Sequence, residues 1–302
     1  MQTVLINRRA QLPNNLRAFC QIHQLDYKTI LSTNPKTEKS EVQTYILHLA
    51  PSDTSGFNTC PNAGNCRAVC LNFAGNPAYM QTKQNARIRR TLAFYDSQQQ
   101  FVQLLFVAIC DKIVRHNGEL VAIRLNGTSD ICWENVELAI DQQFADFIYR
   151  KFGLPFYIGN GNHTLFSLVQ HLESMIGRKL VQFYDYTKLS RNWAKCKQLD
   201  YHLTFSFDGW NNQTNLTIAK RALSAGVNIA AAFMVKRGKQ LPKLAEVTSI
   251  VGGDNLTFLP VYDGDKSDFR PADPSGGHII GLRFKLPHGI KYNHSDKTAF
   301  CM

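Results

Sequence analysis

The chain has few acidic residues and no long apolar run. Its 23 Asp and Glu are outnumbered by 34 Lys and Arg among 302 residues, which gives a formal net charge of +11. Such a balance favours polyanionic partners, so nucleic acid is a candidate partner for the basic surface. The longest apolar stretch, Gly226 to Val235, is well short of the ~18 residues that indicate a membrane helix. We therefore predict no membrane partner.

The signatures of several common enzyme classes are also missing. No G-x-S-x-G, P-loop, H-E-x-x-H or G-x-G-x-x-G motif occurs. The sequence therefore gives little support to a hydrolase, a nucleoside triphosphatase or a classical dehydrogenase. The first residues, Met1 to Arg9, lack the apolar core and cleavage site of a signal peptide. We predict a cytoplasmic protein, and thiols stay reduced in that compartment.

Three cysteines dominate what is present. Cys60, Cys66 and Cys70 fall within eleven residues, directly after an alternating apolar run. Three thiolates on one short loop meet at a single metal with little loop-closure entropy. A [4Fe–4S] cluster held by three cysteines leaves one iron open, whereas structural zinc prefers four ligands with C-x₂-C pairs. The spacing favours an iron–sulfur cluster, with zinc and three unmetallated thiols as alternatives.

Strands and helices alternate through most of the chain. We predict strands at 42–49, 120–125, 155–158, 181–186, 201–207, 227–235, 247–251 and 278–284, and helices at 78–95, 98–116, 134–152, 164–176 and 215–225. Strands separated by helices of this length form βα units and a parallel sheet. The predicted fold is α/β, a parallel TIM-barrel-like (β/α) barrel or partial barrel, with the cysteine loop after its first main strand. A doubly wound sheet is the alternative.

Three regions follow from this pattern. Residues 1–40 are predicted to be an irregular N-terminal extension, residues 41–285 the barrel-like domain and residues 286–302 a C-terminal tail. Nothing in the sequence predicts the oligomeric state.

Polar stretches follow the predicted strands, and ligands gather at the carboxyl ends of parallel strands. We therefore expect one mouth formed by the cysteine loop and by residues 126–130, 185–188, 206–209 and 263–270. Asp130, Asp185 and Lys188 are its candidate catalytic residues. A helix cap at Asp130 and an ion pair between Asp185 and Lys188 are the structural alternatives. The candidate cofactor-binding residues are Asn126, Thr128 and Ser206.

Six stretches resemble the hallmarks of the gene product 88 family of bacteriophage proteins. They run in order through most of the chain, at residues 32–37, 60–72, 124–130, 183–188, 201–206 and 263–270. The resemblance implies a phage origin, hence the host cytoplasm during infection, and a shared core. It carries no particular activity with it.

The layout also resembles that of radical S-adenosylmethionine enzymes, in which a cysteine triplet follows the first strand of a parallel barrel. Their triplet is typically C-x₃-C-x₂-C, and the triplet here is C-x₅-C-x₃-C. This resemblance implies a redox or radical enzyme whose open iron meets S-adenosylmethionine or another small molecule. The alternative is a non-enzymatic protein, metal-stabilised or redox-sensing, that binds nucleic acid. Its basic surface would include Lys83, Arg87 and Arg90, which share one helix face.

Overall fold

A mostly parallel sheet organises the computed structural model, which describes residues 10–34, 37, 41–67, 70, 81–157, 161–236, 238–252 and 255–285. Within these residues nine strands form the main sheet, in the order β1-β2-β3-β6-β7-β8-β11-β10-β9. The strands are β1 Leu31–Ser32, β2 Thr44–Leu47, β3 Val121–Arg124, β6 Val181–Thr187, β7 Tyr201–Ser206, β8 Ile229–Phe233, β9 Leu244–Glu246, β10 Phe258–Asp263 and β11 Ile279–Arg283. Only β1 and β9 pair antiparallel in this sheet. A separate antiparallel pair consists of β4 Glu137–Ala139 and β5 Asn162–Thr164.

Helices connect the strands, as parallel pairing requires. They are α1 Asn14–His23, α2 Gln81–Asp96, α3 Gln98–Arg115, α4 Gln142–Phe152, α5 Leu165–Ile176, α6 Trp193–Gln198, α7 Gln213–Ser224 and α8 Thr248–Val251. Local sequence sets several of their ends. The Asp141 side chain caps the N-terminus of α4, and Gly153 ends that helix in the left-handed conformation. Thr164 and Ser167 form a capping box at the start of α5.

The two faces of the sheet differ in character. Partners on adjacent strands point to the same face, and the row Ile123, Phe183 and Tyr201 lies in the apolar core with α3 and α5. The next row on the opposite face is polar and includes the paired Tyr184 and His202. Segment 264–273 packs on this polar face, where the Phe269 ring lies 5.6 Å from the Tyr184 ring. The helices therefore cover one face and leave the other for polar side chains.

The sheet does not close into a barrel within the described residues, so the TIM-barrel prediction is not confirmed. Its edges are β1, with two residues, and β9, with three. Each edge strand pairs with one neighbour only. The coarser prediction of an α/β fold with a mostly parallel sheet is confirmed.

Most predicted elements are present, and a few are wrong. The apolar run 247–251 was predicted as a strand and instead forms the short helix α8. Residues 155–157 form no strand, and residue 158 lies outside the described part. The predicted helix 134–152 is helical only from Gln142, because its first part forms a 3₁₀ turn and β4. Helix α6 and the strands β1, β4, β5, β9 and β10 were not predicted.

The N-terminal region packs on the same core as the sheet. Leu16 and Phe19 of α1 and Leu31 of β1 are buried beside α3, so no break in packing marks residue 40. Residues 286–302, the predicted tail, lie outside the described part of the chain. No helix that the structure describes combines the length and apolarity needed to cross a membrane.

Candidate functional site

A cavity of about 590 Å³ lies at the carboxyl ends of the parallel strands. It is lined from all five stretches that were predicted to meet there, and this convergence is confirmed. Eight of the nine predicted site residues line it, namely Cys60, Cys66, Cys70, Asn126, Thr128, Asp130, Lys188 and Ser206. The ninth, Asp185, does not line the cavity. The chemical roles assigned to these residues remain predictions.

The start of the cysteine loop is held by hydrogen bonds of Thr59, the residue before Cys60. The buried Thr59 hydroxyl donates to the Ala50 carbonyl oxygen at 2.6 Å. The Asp130 amide donates to the Thr59 carbonyl oxygen at 2.8 Å. The Cys60 thiol itself lies 3.7 Å from the Thr128 carbonyl oxygen. The loop therefore follows the end of β3 closely.

The second anchor of the loop is the fully buried carboxylate of Asp208, beyond the end of β7. It accepts the backbone N–H groups of Asn65 at 2.9 Å and Cys66 at 3.0 Å. Lys188 Nζ donates to the same carboxylate at 2.9 Å. Two successive amides on one carboxylate are a strong charge-assisted contact, so Asp208 fixes the backbone that carries Cys66.

Gly64 makes this contact sterically feasible. Its φ is +49°, and a Cβ at this position would overlap the Asp208 carboxylate. Only glycine allows the turn to approach so closely in that conformation.

The three thiols lie close enough in the cavity wall for the charge of one to affect the pKa of another. Burial is the main cause that raises the pKa of Cys66 to about 11, with Lys188 opposing it and Cys70, Asp208 and Cys60 adding to it. Burial also raises the pKa of Cys60. In the described residues, no three His, Cys, Asp or Glu side chains converge into a metal-binding group. The thiols thus share a cavity without forming a closed ligand set.

Cys132 and Cys196 each follow a strand predicted to end at the mouth, so they are the candidates for a fourth protein ligand of a cluster. Cys132 is half-buried and Cys196 is buried, and neither lines the cavity. Their position gives no support to that assignment.

Asp185 lies behind the cavity wall, completely buried. It accepts the amides of Leu125 at 2.9 Å and Asn126 at 3.0 Å, and the Tyr201 hydroxyl at 2.8 Å. Burial raises its pKa to about 6, against the opposing charge of Arg124 and these hydrogen bonds. The contacts place Asp185 where it orients the loop after β3.

Asp130 joins the loops that follow β3 and β6. Its carboxylate accepts the Thr187 hydroxyl at 2.8 Å, the Lys188 amide at 2.7 Å and Arg191 Nη2 at 2.7 Å. The buried Arg191 also contacts both oxygens of Glu134 at 3.0 and 3.1 Å. The alternative role for Asp130, a helix cap near residue 134, is not what these bonds show.

The three predicted cofactor-binding residues differ in how far their side chains are engaged. Asn126 Oδ1 accepts hydrogen bonds from Ser129, Ile131 and Trp133, and its Nδ2 donates to the Ile131 carbonyl. The Thr128 hydroxyl donates to the Leu49 carbonyl at 2.5 Å. The Asn126 side chain therefore stabilises its own loop. Ser206 contributes its backbone oxygen, which accepts a hydrogen bond from Lys188 Nζ at 3.4 Å.

Three residues that shape the site were not among the predicted site residues: Arg124, Arg191 and Asp208, although Asp208 lies in the predicted mouth stretch 206–209. Asp208 and Arg191 contact partners far away in sequence, which no local pattern reveals. Arg124 carried a signal, because a charged residue near the end of an apolar strand needs a partner or a function.

A family model described as Gene product 88 matches residues 24–302. The chain belongs to the gene product 88 family. Its match covers the whole cavity and every main-sheet strand. The searches of curated proteins and of solved structures each found no match. The resemblance to the layout of radical S-adenosylmethionine enzymes remains a prediction for this member of the gene product 88 family.

Proposed function

We propose that the chain is a phage iron–sulfur protein in which Cys60, Cys66 and Cys70 hold a cluster at the cavity. The observation that carries this proposal is that all three thiols line the same cavity of about 590 Å³. A cluster held by three thiolates leaves an iron open to a ligand, and the cavity gives that ligand room.

The donor set suits the proposal in its chemistry. Three sulfur donors, with no histidine among the described residues of the cavity wall, favour iron–sulfur clusters, or zinc in second place. Ligation requires deprotonated thiols, and the Lys188 charge lowers the pKa of Cys66 against the effect of burial. Because the thiols do not converge in the described structure, binding requires residues 60–70 to draw together.

Within this proposal the scaffold is a partial barrel. The strands β2, β3, β6, β7 and β8 follow one another in sequence order across the sheet, and helices pack on one face, as in a singly wound barrel wall. The activity we propose is that of a redox or radical enzyme acting on a small molecule in the cavity. S-Adenosylmethionine is one candidate for that molecule.

The first test is anaerobic purification of the full chain with iron, sulfide and zinc analysis and an electronic spectrum. Wild type is compared with the triple variant Cys60→Ala/Cys66→Ala/Cys70→Ala. We expect absorbance near ~400 nm and roughly four irons and four sulfides per chain, both lost in the variant. The matched control is Cys132→Ala, a half-buried cysteine outside the cavity, which should retain the cluster.

Other outcomes decide against the proposal. Stoichiometric zinc without sulfide would leave a zinc site and end the radical interpretation. Wild type and triple variant that are equally stable and equally free of metal would overturn the metal proposal altogether. If the cluster is present, an unchanged spectrum on adding S-adenosylmethionine to the reduced protein would remove that candidate.

The alternative proposal is a non-enzymatic, redox-sensing or metal-stabilised protein that binds nucleic acid, and the net charge of +11 favours it. Part of its expected basic face is engaged within the chain, since Arg90 donates to the Thr29 carbonyl oxygen at 3.0 Å. Nucleic-acid retention that weakens steeply between low and physiological salt would support this alternative.

A further inference from the structure

Arg124 differs from the other cations on the cavity wall. Arg67, Lys188 and Arg283 each have a carboxylate oxygen within 3.0 Å, and Lys285 is an exposed residue of the wall. Arg124 is mostly buried, with 16% of its side chain exposed, and the carboxylate recorded near it is Asp185, at 3.7 Å from its Nε. Its Nε has no hydrogen-bond partner in the described structure.

The carboxylate of Asp185 is already committed to other donors. It accepts the two amides after β3 and the Tyr201 hydroxyl at 2.8–3.0 Å. The Arg124 guanidinium instead lies over two aromatic rings, 5.6 Å from Tyr184 and 5.2 Å from Tyr186. Aromatic rings orient a guanidinium without neutralising its charge.

Arg124 is one of several cationic side chains that act on His48. Besides burial, the charges of Arg87, Arg124, Arg90 and Lys83 lower the pKa of the neighbouring His48 to about 3. Burial lowers the pKa of Arg124, but the charge of Asp185, with smaller contributions that include Asp268 on the cavity wall, more than offsets this. Asp130 is bound by Arg191 at 2.7 Å, so its charge is already compensated.

The cavity beside Arg124 also has apolar walls, made by Phe207, Ala230, Ala232, Leu282 and Phe284. Its volume of about 590 Å³ lies in the range of sites for small organic molecules. One cationic group beside apolar walls matches a ligand with an anionic end and an apolar body.

We infer that the cavity binds a small organic anion whose carboxylate or phosphate group is held by Arg124. The guanidinium fork donates two parallel hydrogen bonds to either group. This inference rests on the proposed function only in treating the cavity as a ligand site.

The test measures binding of benzoate and phenyl phosphate to the full chain by calorimetry and thermal shift, with benzyl alcohol as the uncharged probe. We expect saturable binding of at least one anion, about tenfold or more tighter than benzyl alcohol. Arg124→Gln should weaken it about tenfold or more, and Arg124→Lys should weaken it less. Arg67→Gln, on the same wall but paired with the exposed Asp53, is the matched control and should bind as wild type does.

The relative affinities of the two anions distinguish a carboxylate site from a phosphate site. Equal binding of benzyl alcohol, unchanged binding in Arg124→Gln, or no saturable binding of either anion would each overturn the inference. If Arg124→Gln does not fold, the inference is tested on the wild-type chain by measuring anion binding with and without added salt. Competition by added chloride then supports the inference, and salt-independent binding refutes it.

Metal analysis of the same samples separates this inference from the proposed function. A wild-type chain without cluster that still binds the anion through Arg124 would refute the cluster and leave the anion site standing. A loaded chain that binds no anion would refute the anion site alone.

Discussion

At the scale of single residues, Gly64 and Asp208 show how closely the cysteine loop depends on one contact. The buried carboxylate of Asp208 accepts two loop amides, and the absence of a side chain at Gly64 allows the approach. A turn held in this way fixes the backbone that carries Cys66.

Gly64→Ala tests this contact. We expect it to destabilise the chain by about 2–4 kcal/mol, because positive φ and the overlap with Asp208 act together. The control is Gly56→Ala, whose φ is +87° but whose Cβ would meet nothing within 4 Å. It should cost only about 1 kcal/mol. Urea unfolding measures both, and equal losses would show that the Asp208 contact contributes little.

Two histidines give the stability a pH dependence. Burial, followed by nearby cationic charge, lowers the pKa of His48 from 6.5 to about 3 and that of His202 from 6.5 to about 4. In both cases the unfolded chain takes up the proton first as the pH falls below 6.5. Stability from these groups is therefore fully present above pH 6.5 and decreases toward their folded pKa values.

We expect the double variant His48→Gln/His202→Gln to have a flatter stability profile between about pH 6.5 and pH 4 than wild type. Chemical unfolding at a series of pH values is the measurement. Asp185, whose pKa burial raises to about 6, contributes the opposite slope and is present in both proteins, so it cancels in the comparison. Parallel profiles for the two proteins would contradict the assignment.

At the scale of elements, the site is assembled by ties between loops that follow different strands. Arg191, after β6, holds Asp130 and Glu134, which follow β3. All three side chains are largely or fully buried, so each carboxylate depends on the guanidinium. The cavity wall is therefore a set of coupled loops.

Arg191→Met tests this coupling. Removing one partner leaves two buried carboxylates uncompensated, so we expect a loss of about 3–5 kcal/mol in the free energy of unfolding. Arg67→Met removes an exposed pair with Asp53 and should cost less than about 1 kcal/mol. Denaturant titrations of both variants measure the free energy of unfolding. Similar losses would show that the buried ion pairs of Arg191 contribute no more than the exposed pair of Arg67.

The elements also show what sequence could predict. Long periodic segments such as α3 were predicted within a residue or two, because thirteen of its residues are buried and the apolar pattern is strong. The prediction for 247–251 was wrong because its three apolar residues, Val247, Ile250 and Val251, are too few to distinguish a strand from a helix by their spacing. Residues 134–141 were wrong because β4 pairs with β5, a tertiary contact that overrides local helix propensity.

The site residues that follow strand ends could be predicted from the sequence. Those that depend on contacts between residues distant in sequence could not. The convergence of five loops followed from parallel order alone. Lys188 was found as a candidate, but its bond to Asp208 was not, since ion-pair partners twenty residues apart leave no local signature. Arg124 was predicted only as part of a strand. The face of the sheet on which its side chain lies is set by the register between β2 and β3, which the sequence does not reveal.

At the scale of the whole molecule, occupancy of the cavity should be coupled to stability. A ligand or metal that binds only the folded chain stabilises it by RT ln(1 + [L]/Kd), about 2.7 kcal/mol at a hundredfold excess over Kd. We expect metal loading to raise the unfolding temperature by several degrees and to slow amide exchange of Asn65 and Cys66. Exchange within α3, on the far face of the sheet, should change less. Unchanged exchange at the loop in a metal-loaded sample would contradict the coupling.

The order of the strands has a consequence for synthesis. The thiols at 60–70 leave the ribosome early, whereas Asp208 and the cavity-lining residues of β11 follow later, on the order of tens of seconds at ordinary translation rates. During that interval the cysteine loop lacks its hydrogen bonds to Asp208 and the later residues that complete the cavity. A nascent chain therefore exposes the three thiols to its surroundings, and the cavity is complete only when the C-terminal strands have been added.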